Sequence, residues 1–213
     1  MGALFPPWTN TVSRFSLVCL AGAIGGLFLW LYLWSKSPWY TGQQDPVDQP
    51  VQFDHRHHVA DDGIDCRYCH TTVETAASAG IPATSVCMSC HAQIWNKSAL
   101  TGILRASYFG DRPIPWNRVD RLPDFVYFNH SIHVAKGIGC VSCHGRIDQM
   151  AQVTKHSSLM MGWCLDCHRD PEPNLRPRQY ITSMTWKPER NLGPELAVAY
   201  GLHTRTSCTT CHR

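Results

Sequence analysis

Hydrophobic residues are distributed unevenly along this chain, and the longest apolar stretch lies near the N-terminus. Residues 15–34 read FSLVCLAGAIGGLFLWLYLW and contain no charged side chain. A run of this length rises about 30 Å as a helix, which matches the hydrocarbon thickness of a membrane. The pattern therefore predicts a transmembrane signal-anchor helix over residues 15–35. Aromatic side chains typical of membrane interfaces gather at its far end: Trp30, Tyr32, Trp34, Trp39 and Tyr40.

Two alternatives for this stretch are a cleaved signal peptide and a lipoprotein signal. The run is longer than the apolar region of a signal peptide, and no small-residue cleavage site follows it. Val18 rather than a small residue precedes Cys19, which argues against lipidation of that cysteine. Arg14 and Lys36 flank the run with one charge each, so the positive-inside rule leaves the orientation open.

A repeated cysteine pattern dominates the remaining sequence. Ten of the eleven cysteines fall into five identical Cys-x-x-Cys-His frames, which we number in chain order. Frame 1 holds Cys66, Cys69 and His70; frame 2 holds Cys87, Cys90 and His91; frame 3 holds Cys140, Cys143 and His144; frame 4 holds Cys164, Cys167 and His168; frame 5 holds Cys208, Cys211 and His212.

The spacing within a frame fits covalent attachment of haem c. Residues i, i+3 and i+4 share one face of a helical turn, so both thiols meet the two vinyl groups while the imidazole reaches the iron. Zinc ribbons and thioredoxin-like sites do not require a histidine directly after the second cysteine. The sequence therefore predicts five haem c groups, with the frame histidines as iron ligands. Cys19 is expected to be an apolar residue of the membrane helix, and no disulfide is expected.

The length of the remaining chain limits what kind of core it forms. Residues 36–213 provide about 36 residues for each haem, too few for a conventional hydrophobic core around each group. We expect a mainly irregular and α-helical fold. One N-terminal transmembrane helix would precede a pentahaem domain whose core is formed by the haems, with short helices at the frames.

An internal repeat divides this domain. The sequence FDHRHHVA begins at residue 53, before frame 1, and FNHSIHVA begins at residue 128, before frame 3; a second frame follows each copy. The repeat predicts two dihaem modules and a separate fifth haem. The expected boundaries are an N-terminal segment at 1–14, the anchor helix at 15–35 and the pentahaem domain at 36–213, with module 1 at 50–96, a linker at 97–127, module 2 at 128–170 and the fifth haem at 171–213.

Each iron needs a second ligand if it is six-coordinate. The two histidines of each Phe-x-His-x-x-His element are candidates, because residues three apart project from one face of a turn and reach two close-packed haems. We predict that His55, His58, His130 and His133 are distal ligands. His57 lies between the first pair and is expected to point elsewhere.

The fifth distal ligand has several candidates, of which Met161 is the first and Met150 the second. In the small class III trihaem cytochromes, which the Phe-x-His-x-x-His…CxxCH pattern resembles, a ligand just before one frame serves the next haem. By that resemblance Met161, which precedes Cys164, would serve the haem of frame 5. A thioether ligand would raise the potential of that haem above its bis-histidine neighbours. The other candidates are Met160, Met184, His156 and His203.

The net charge excludes some functions, and the net charge of the haem domain changes sign once the haem propionates are counted. Lys and Arg exceed Asp and Glu by only 19 to 16, too little for a nucleic-acid-binding surface. Residues 1–36 hold two basic and no acidic residues, so 17 basic and 16 acidic residues remain. Ten haem propionates would bring the haem domain to about −9 when ionised. The haem-loaded domain is therefore expected to be acidic.

Four longer segments resemble the pentahaem membrane-anchored cytochrome c subunit of Alternative Complex III. They are FDHRHHVADDGIDCRYCH, AGIPATSVCMSCHAQIW, LPDFVYFNHSIHVAKGIGCVSCHGRIDQM and LMMGWCLDCHR. The resemblance implies a complex that oxidises quinol, usually menaquinol, in a respiratory or photosynthetic chain and delivers electrons to a periplasmic carrier or an oxidase. It also implies an iron–sulfur and molybdopterin-like large subunit, quinol-binding membrane subunits and a monohaem cytochrome c as partners. His156 and His203 have no place in the family pattern, which favours methionine as fifth distal ligand.

Three functions compete. We expect an electron-relay subunit without catalytic residues, single-pass in the inner membrane, with residues 1–14 cytoplasmic and the haem domain periplasmic, where haem c is attached. A stand-alone membrane-anchored quinol dehydrogenase is the alternative, although such proteins carry haem motifs soon after the anchor. A catalytic multihaem reductase would need an open iron position, often with lysine in place of the frame histidine, and all five frames end in histidine.

Overall fold

The computed structural model describes residues 5–188 and 190–212. The chain divides into two compact units, Met1–Gly42 and Gln43–Arg213. The first contains the apolar segment, and the second contains all five frames.

One long helix makes up most of the first unit. Helix α1 spans Trp8–Lys36 and begins earlier than Phe15, the first residue of the charge-free run. None of its residues is buried within the protein. The helix is long and apolar enough to cross a membrane. A mainly apolar helix with no buried residue has its surface available for lipid or for other helices.

Both ends of α1 have a local cause. Thr9 donates a hydrogen bond from its hydroxyl to the carbonyl of Pro6 at 2.7 Å, which closes the first turn. Ser37 takes an extended conformation, because the ring of Pro38 disfavours a helical residue directly before it. A single further turn, α2 (Pro38–Thr41), follows.

The second unit is built from short helices joined by irregular segments. Its α-helices are α3 (Cys66–Cys69), α4 (Thr84–His91), α5 (Gly102–Phe109), α6 (His130–Ala135), α7 (Cys140–His144), α8 (Met161–Arg169), α9 (Gly193–Ala199) and α10 (Cys208–Cys211). A π-helical turn spans Arg56–Asp61, and 3₁₀ turns span Ile147–Gln149, Glu172–Asn174 and Arg178–Tyr180. In the described residues, β-pairing is limited to three isolated bridges. The expectation of a mainly helical and irregular fold is confirmed.

Few hydrophobic side chains are buried in this unit. Val51, Met88 and Leu104 form one small cluster. Leu104 lies on α5, within the segment 97–127 that we expected to connect the two modules, and Met88 lies on α4. Leu175 and Ile181 are the other buried hydrophobic residues of the described chain. Side-chain packing between protein groups is therefore concentrated around frame 2 and along residues 175–181.

The two repeated segments meet in space. The π-helical turn Arg56–Asp61 lies beside the 3₁₀ turn Ile147–Gln149. The backbone amide of His130 donates to the carbonyl of Ala77 at 3.1 Å, and that of Ser131 donates to Ala76 at 3.2 Å. These contacts bring the His-x-x-His element of the second repeat against the loop that follows frame 1.

Candidate haem-binding sites

All five frames lie on short helical turns. Frames 1, 3 and 5 form α3, α7 and α10, while frames 2 and 4 end α4 and α8. The Asp65 side chain caps α3 by accepting a hydrogen bond from the backbone amide of Arg67 at 2.9 Å. A helical turn places the two cysteines of a frame on one face, as attachment of both vinyl groups requires.

Four of the five frame histidines share one hydrogen-bonding pattern at Nδ1. Four of these atoms lie near a backbone carbonyl oxygen: His70 near Gly80 at 2.7 Å, His91 near Ile94 at 3.1 Å, His168 near Arg205 at 3.0 Å and His212 near Phe125 at 3.0 Å. Because a carbonyl only accepts, Nδ1 is the protonated nitrogen and Nε2 keeps its lone pair. These four side chains are therefore fixed in the tautomer that binds a metal through Nε2.

Frame 3 departs from this pattern. The Nδ1 atom of His144 lies 2.9 Å from the Oδ2 atom of Asp120, so its partner is a carboxylate instead of a carbonyl. The side chains of His144 and Asp120 are partly buried, with 33% and 28% of their surface exposed. Asp120 belongs to the segment 97–127, and nothing in its sequence context distinguished it as a residue of the site.

In both His-x-x-His elements a phenylalanine packs on the two histidines in the same way. Phe53 packs edge-on against His55 and stacks on His58, with ring centroids 4.7 and 4.4 Å apart. Phe128 does the same with His130 and His133, at 4.7 and 4.5 Å. The phenylalanine two residues before the first histidine therefore orients both imidazoles. The repeat made this residue visible in the sequence, although its role was not assigned there.

Hydrogen bonds also fix these imidazoles. Nδ1 of His58 lies 2.9 Å from the carbonyl oxygen of Asp54, and Nδ1 of His133 lies 2.7 Å from that of Asn129, the residue four positions earlier in each case. Nδ1 of His130 lies 2.8 Å from the carbonyl oxygen of Ala77. Burial lowers the pKa of both His130 and His133, which favours their neutral, metal-binding form.

His55 differs from the other three. Its Nδ1 atom is buried without a hydrogen-bond partner. Burial lowers its pKa to about 4, and the nearby His70 ring adds to the shift. His55 is thus a neutral imidazole beside the histidine of frame 1, with a buried polar atom that the protein itself leaves unsatisfied.

In three pairs of histidines the ring centroids are separated by nearly the same distance. The centroids of His58 and His91 are 6.2 Å apart, and those of His133 and His168 are 6.1 Å apart, with interplanar angles of 64° and 68°. The centroids of His130 and His144 are 6.4 Å apart. Two imidazoles bound to one metal at about 2 Å each have centroids roughly 6 Å apart. The spacing therefore fits an iron between each pair.

The order in which the frames are neighbours in space differs from their order in the chain. The hydroxyls of Tyr68 and Ser89, in frames 1 and 2, are 3.0 Å apart. The thiol of Cys66 in frame 1 donates a hydrogen bond to the sulfur of Cys140 in frame 3, which raises the pKa of Cys66, with burial adding to the shift. The spatial neighbours are thus frame 2 with frame 1, and frame 1 with frame 3.

The same order continues into the last two frames. Burial, with smaller effects from Cys167 and Cys164 of frame 4, raises the pKa of Cys143 in frame 3 to about 12. Burial followed by the nearby Cys211 of frame 5 raises the pKa of Cys164. Frame 4 therefore lies between frames 3 and 5, and the complete order is 2, 1, 3, 4, 5.

The candidates for a fifth distal ligand are scattered. Met161 begins α8, on the helix whose Cys164 lies close to frame 5, and its side chain is 67% exposed. The sulfur of Met150 instead accepts a hydrogen bond from the hydroxyl of Thr154 at 4.0 Å. The ring of His156 packs against Gly145, directly after frame 3. His203 is exposed, as is His57, whose Nδ1 lies 3.2 Å from the carboxylate of Asp61.

The protein groups around the frames fit haem c. Paired thiols lie on helical turns, imidazoles have Nε2 free, and three ring pairs have the separation that a bound metal requires. Exposed apolar side chains, including Ile94, Trp95 and Ile132, lie beside the histidines of the frames and of the second repeat. Such side chains supply the apolar contacts that a porphyrin needs.

Comparisons with known proteins agree with this chemistry. Residues 35–108 match the class III cytochrome C family, and residues 126–213 match the family described as cytochrome c7 and related cytochrome c. The chain is also 25% identical to the multihaem cytochrome c subunit of menaquinone reductase from Nitratidesulfovibrio vulgaris. That alignment covers 96% of this chain and 97% of the relative. Over residues 35–108 and 126–213 the chain is therefore similar to multihaem cytochromes c of the class III type, which bind haem c covalently.

Proposed function

We propose that this chain is the electron-relay subunit of a membrane-bound quinol-oxidising complex of the Alternative Complex III type. It relays electrons through five haem c groups to a periplasmic acceptor or an oxidase. The observation that carries this proposal is that successive frames are neighbours in space, in the order 2, 1, 3, 4, 5. A full-length relative that is a subunit of a menaquinone reductase supports the link to quinones.

We assign two histidine ligands to each of four haems. Frame 1 pairs His70 with His55, frame 2 pairs His91 with His58, frame 3 pairs His144 with His130, and frame 4 pairs His168 with His133. The ring separations of 6.1 to 6.4 Å support the last three pairs, and the effect of His70 on the pKa of His55 supports the first. Each imidazole enters as the neutral form that binds a metal.

Frame 5 combines His212 with Met161 in this proposal. Met161 lies on the helix that carries Cys164, and Cys164 is close to Cys211. The exposed position of its side chain leaves its sulfur available to a haem bound at frame 5. A thioether ligand favours ferrous iron relative to a second imidazole, so frame 5 would hold the group of highest potential.

Haem c supplies reversible one-electron exchange between ferric and ferrous iron, without making or breaking a substrate bond. The task of the protein is to hold five such groups close together and to keep their ligands fixed. Phe53 and Phe128 do this by packing on the histidine pairs, and the Nδ1 hydrogen bonds hold the ring orientations. Rigid ligands limit the structural change that accompanies each change of iron charge.

Helix α1 anchors the subunit in the inner membrane, with residues 1–14 cytoplasmic and the haem domain periplasmic. Its length and apolar composition support this assignment. The partners would be an iron–sulfur and molybdopterin-like subunit, quinol-binding membrane subunits and a monohaem cytochrome c. Membranes washed with alkaline carbonate should retain the full chain, and they should release a variant in which a cleavable signal peptide replaces residues 1–42.

Electron flow toward quinone is a second candidate function. The relative from Nitratidesulfovibrio vulgaris is named as part of a menaquinone reductase. A relay of haems works in both directions, and the potentials of its neighbours decide which direction is used. The choice between the two functions therefore depends on the partner proteins.

Purification in mild detergent tests the proposal. The subunit should copurify with quinol-reactive membrane subunits, and the complex should reduce its own haems when a menaquinol analogue is added. Quinone-dependent oxidation of prereduced haems, without reduction by quinol, would support the reductase direction instead. Recovery of a lone and stable subunit from its native membrane would contradict both.

A further inference from the structure

Asp120 is the acidic side chain closest to the proposed iron ligands of frame 3. Its Oδ2 atom lies 2.9 Å from Nδ1 of His144. In the other four frames the atom at this position is a backbone carbonyl oxygen. The five otherwise equivalent sites thus differ at one atom, which carries a negative charge in frame 3.

Besides His144, the charge of Asp120 acts on two protein groups that would hold this haem, His130 and Cys143. Its carboxylate partly offsets the lowering of the pKa of His130, which burial dominates. It also adds to the rise in the pKa of Cys143, again after burial. Within the described chain, no lysine or arginine forms an ion pair with Asp120, so its charge is not neutralised by direct contact.

Other charged groups surround the same frame. Arg176 is buried near Cys140, and its Nε atom has no hydrogen-bond partner. Asp65 also acts on Cys140, and Thr182 and Arg67 donate hydrogen bonds to its carboxylate. These groups influence the absolute potential of the haem, but they remain unchanged when Asp120 alone is replaced.

A carboxylate that accepts the Nδ1 proton makes the imidazole a more basic ligand. A more basic ligand and a nearby negative charge both stabilise ferric iron more than ferrous iron, because the ferric site carries the additional positive charge. We infer that Asp120 is a positioning residue that lowers the reduction potential of the haem at frame 3. This inference rests on the proposed assignment of His144 as an iron ligand.

The position of frame 3 gives this effect a role in the relay. Frame 3 is the central member of the order 2, 1, 3, 4, 5, so an electron that moves between successive frames from one end to the other passes it. A lowered potential there makes the central site the less favoured place for an electron. Electrons at equilibrium then reside on the two sides of the centre, with frames 1 and 2 separated from frames 4 and 5.

The test is a redox titration of the full haem-loaded protein and its Asp120→Asn variant. Asparagine keeps a hydrogen-bond acceptor at this position and removes the charge. One of the five midpoint potentials should rise, while the other four stay within the error of the measurement. Asp124→Asn is the matched control, since it removes an exposed carboxylate from the same segment and should shift none.

Two further measurements separate the possible failures. Haem content and the low-spin spectrum of each variant show whether five six-coordinate haems are present. If Asp120→Asn loads fewer haems, Asp120→Ser answers the same question with a smaller neutral side chain. An unchanged set of midpoints in a fully loaded neutral variant overturns the role of Asp120. A low-spin haem at frame 3 in His144→Ala overturns the ligand assignment itself.

Discussion

The imidazole rings of His133 and His168 face each other with centroids 6.1 Å apart, and their Nδ1 atoms both lie near backbone carbonyl oxygens. The first histidine belongs to α6 and the second to the frame carried by α8. Each hydrogen bond keeps the ring proton on Nδ1, so Nε2 has a free lone pair. The two Nε2 atoms are therefore available to bind one iron.

Replacing His133 with alanine should leave the haem of frame 4 with one axial ligand. The iron then becomes five-coordinate or binds water, and a high-spin ferric signal should appear for one haem in five. Electron paramagnetic resonance and absorption spectra of the ferric protein measure this change.

His57→Ala is the control for that experiment. His57 lies between the two proposed ligands of the first repeat but pairs with Asp61 on the surface. Its removal should leave all five haems low-spin. A high-spin signal in His57→Ala, together with none in His133→Ala, would contradict the assignment of the repeated pairs.

Met161→Ala should change frame 5 alone. Loss of the sulfur would remove the long-wavelength absorption of ferric iron bound to a thioether, and Met161→His should lower one midpoint potential by supplying an imidazole. The absorption spectrum and a redox titration check both results. Met150→Ala is the matched comparison, because its sulfur already accepts a hydrogen bond from Thr154. Loss of the band in Met150→Ala instead would reassign the ligand.

Asp65 should stabilise the haem domain at neutral pH and lose this contribution at low pH. Hydrogen bonding and ion pairing with Arg67 lower the pKa of Asp65 to about 2, and its carboxylate also accepts a hydrogen bond from Thr182 at 2.8 Å. A group with a lowered pKa stabilises the fold above its unfolded value, about 3.9, and this contribution disappears as the pH falls toward 2.

Asp65→Asn measures this contribution directly. The variant should unfold more easily than the wild type at neutral pH, by about 1 kcal/mol or less because the Asp65–Arg67 pair is partly exposed. The difference between the two proteins should shrink between pH 4 and 2. Unfolding curves of the haem-loaded proteins at several pH values provide the test. If the difference in the free energy of unfolding stays constant over this range, the charge of Asp65 does not contribute to stability.

The backbone at Gly139, directly before frame 3, lies in close contact with the side chain of Arg176. A Cβ atom at Gly139 would overlap Cδ, Nε and Cζ of Arg176. Arg176 is not free to move, because it is buried, donates to the carbonyls of Tyr180 and Ser183, and lies over the ring of Trp186. Gly139→Ala should therefore lower the free energy of unfolding by about 2 kcal/mol.

Gly162→Ala serves as its comparison. A Cβ atom at Gly162 meets nothing within 4 Å, and the residue lies inside α8, where alanine is the better helix former. This variant should be as stable as the wild type or slightly more stable. Equal losses in the two variants, measured by denaturant unfolding, would contradict the role of the Arg176 contact.

The sequence predicted the local structure of the frames because that structure depends on spacing of three and four residues. The turn at Cys66–Cys69 and the turn at Cys208–Cys211 are examples, and the long apolar helix follows from composition in the same way. The histidine repeat was visible for the same reason. The assignment of its members as ligands stays a prediction.

Tertiary relationships could not be read from spacing. Nothing near Asp120 in the sequence indicates that it meets His144, because that contact depends on the path of the segment before the second repeat. The contact of Cys66 with Cys140 is equally remote in sequence, so the spatial order of the frames was not predictable. Helix α5, within the segment expected as a linker, packs Leu104 against Met88, a detail that its composition did not indicate.

The small number of buried hydrophobic residues in the second unit has a consequence for biogenesis. Val51, Met88 and Leu104, with Leu175 and Ile181, bury too little apolar surface to stabilise about 170 residues without the cofactors. Folding and haem attachment are then one event, and a chain that lacks a haem remains open to proteases. The amount of this protein in a cell would accordingly report how much haem its maturation machinery receives.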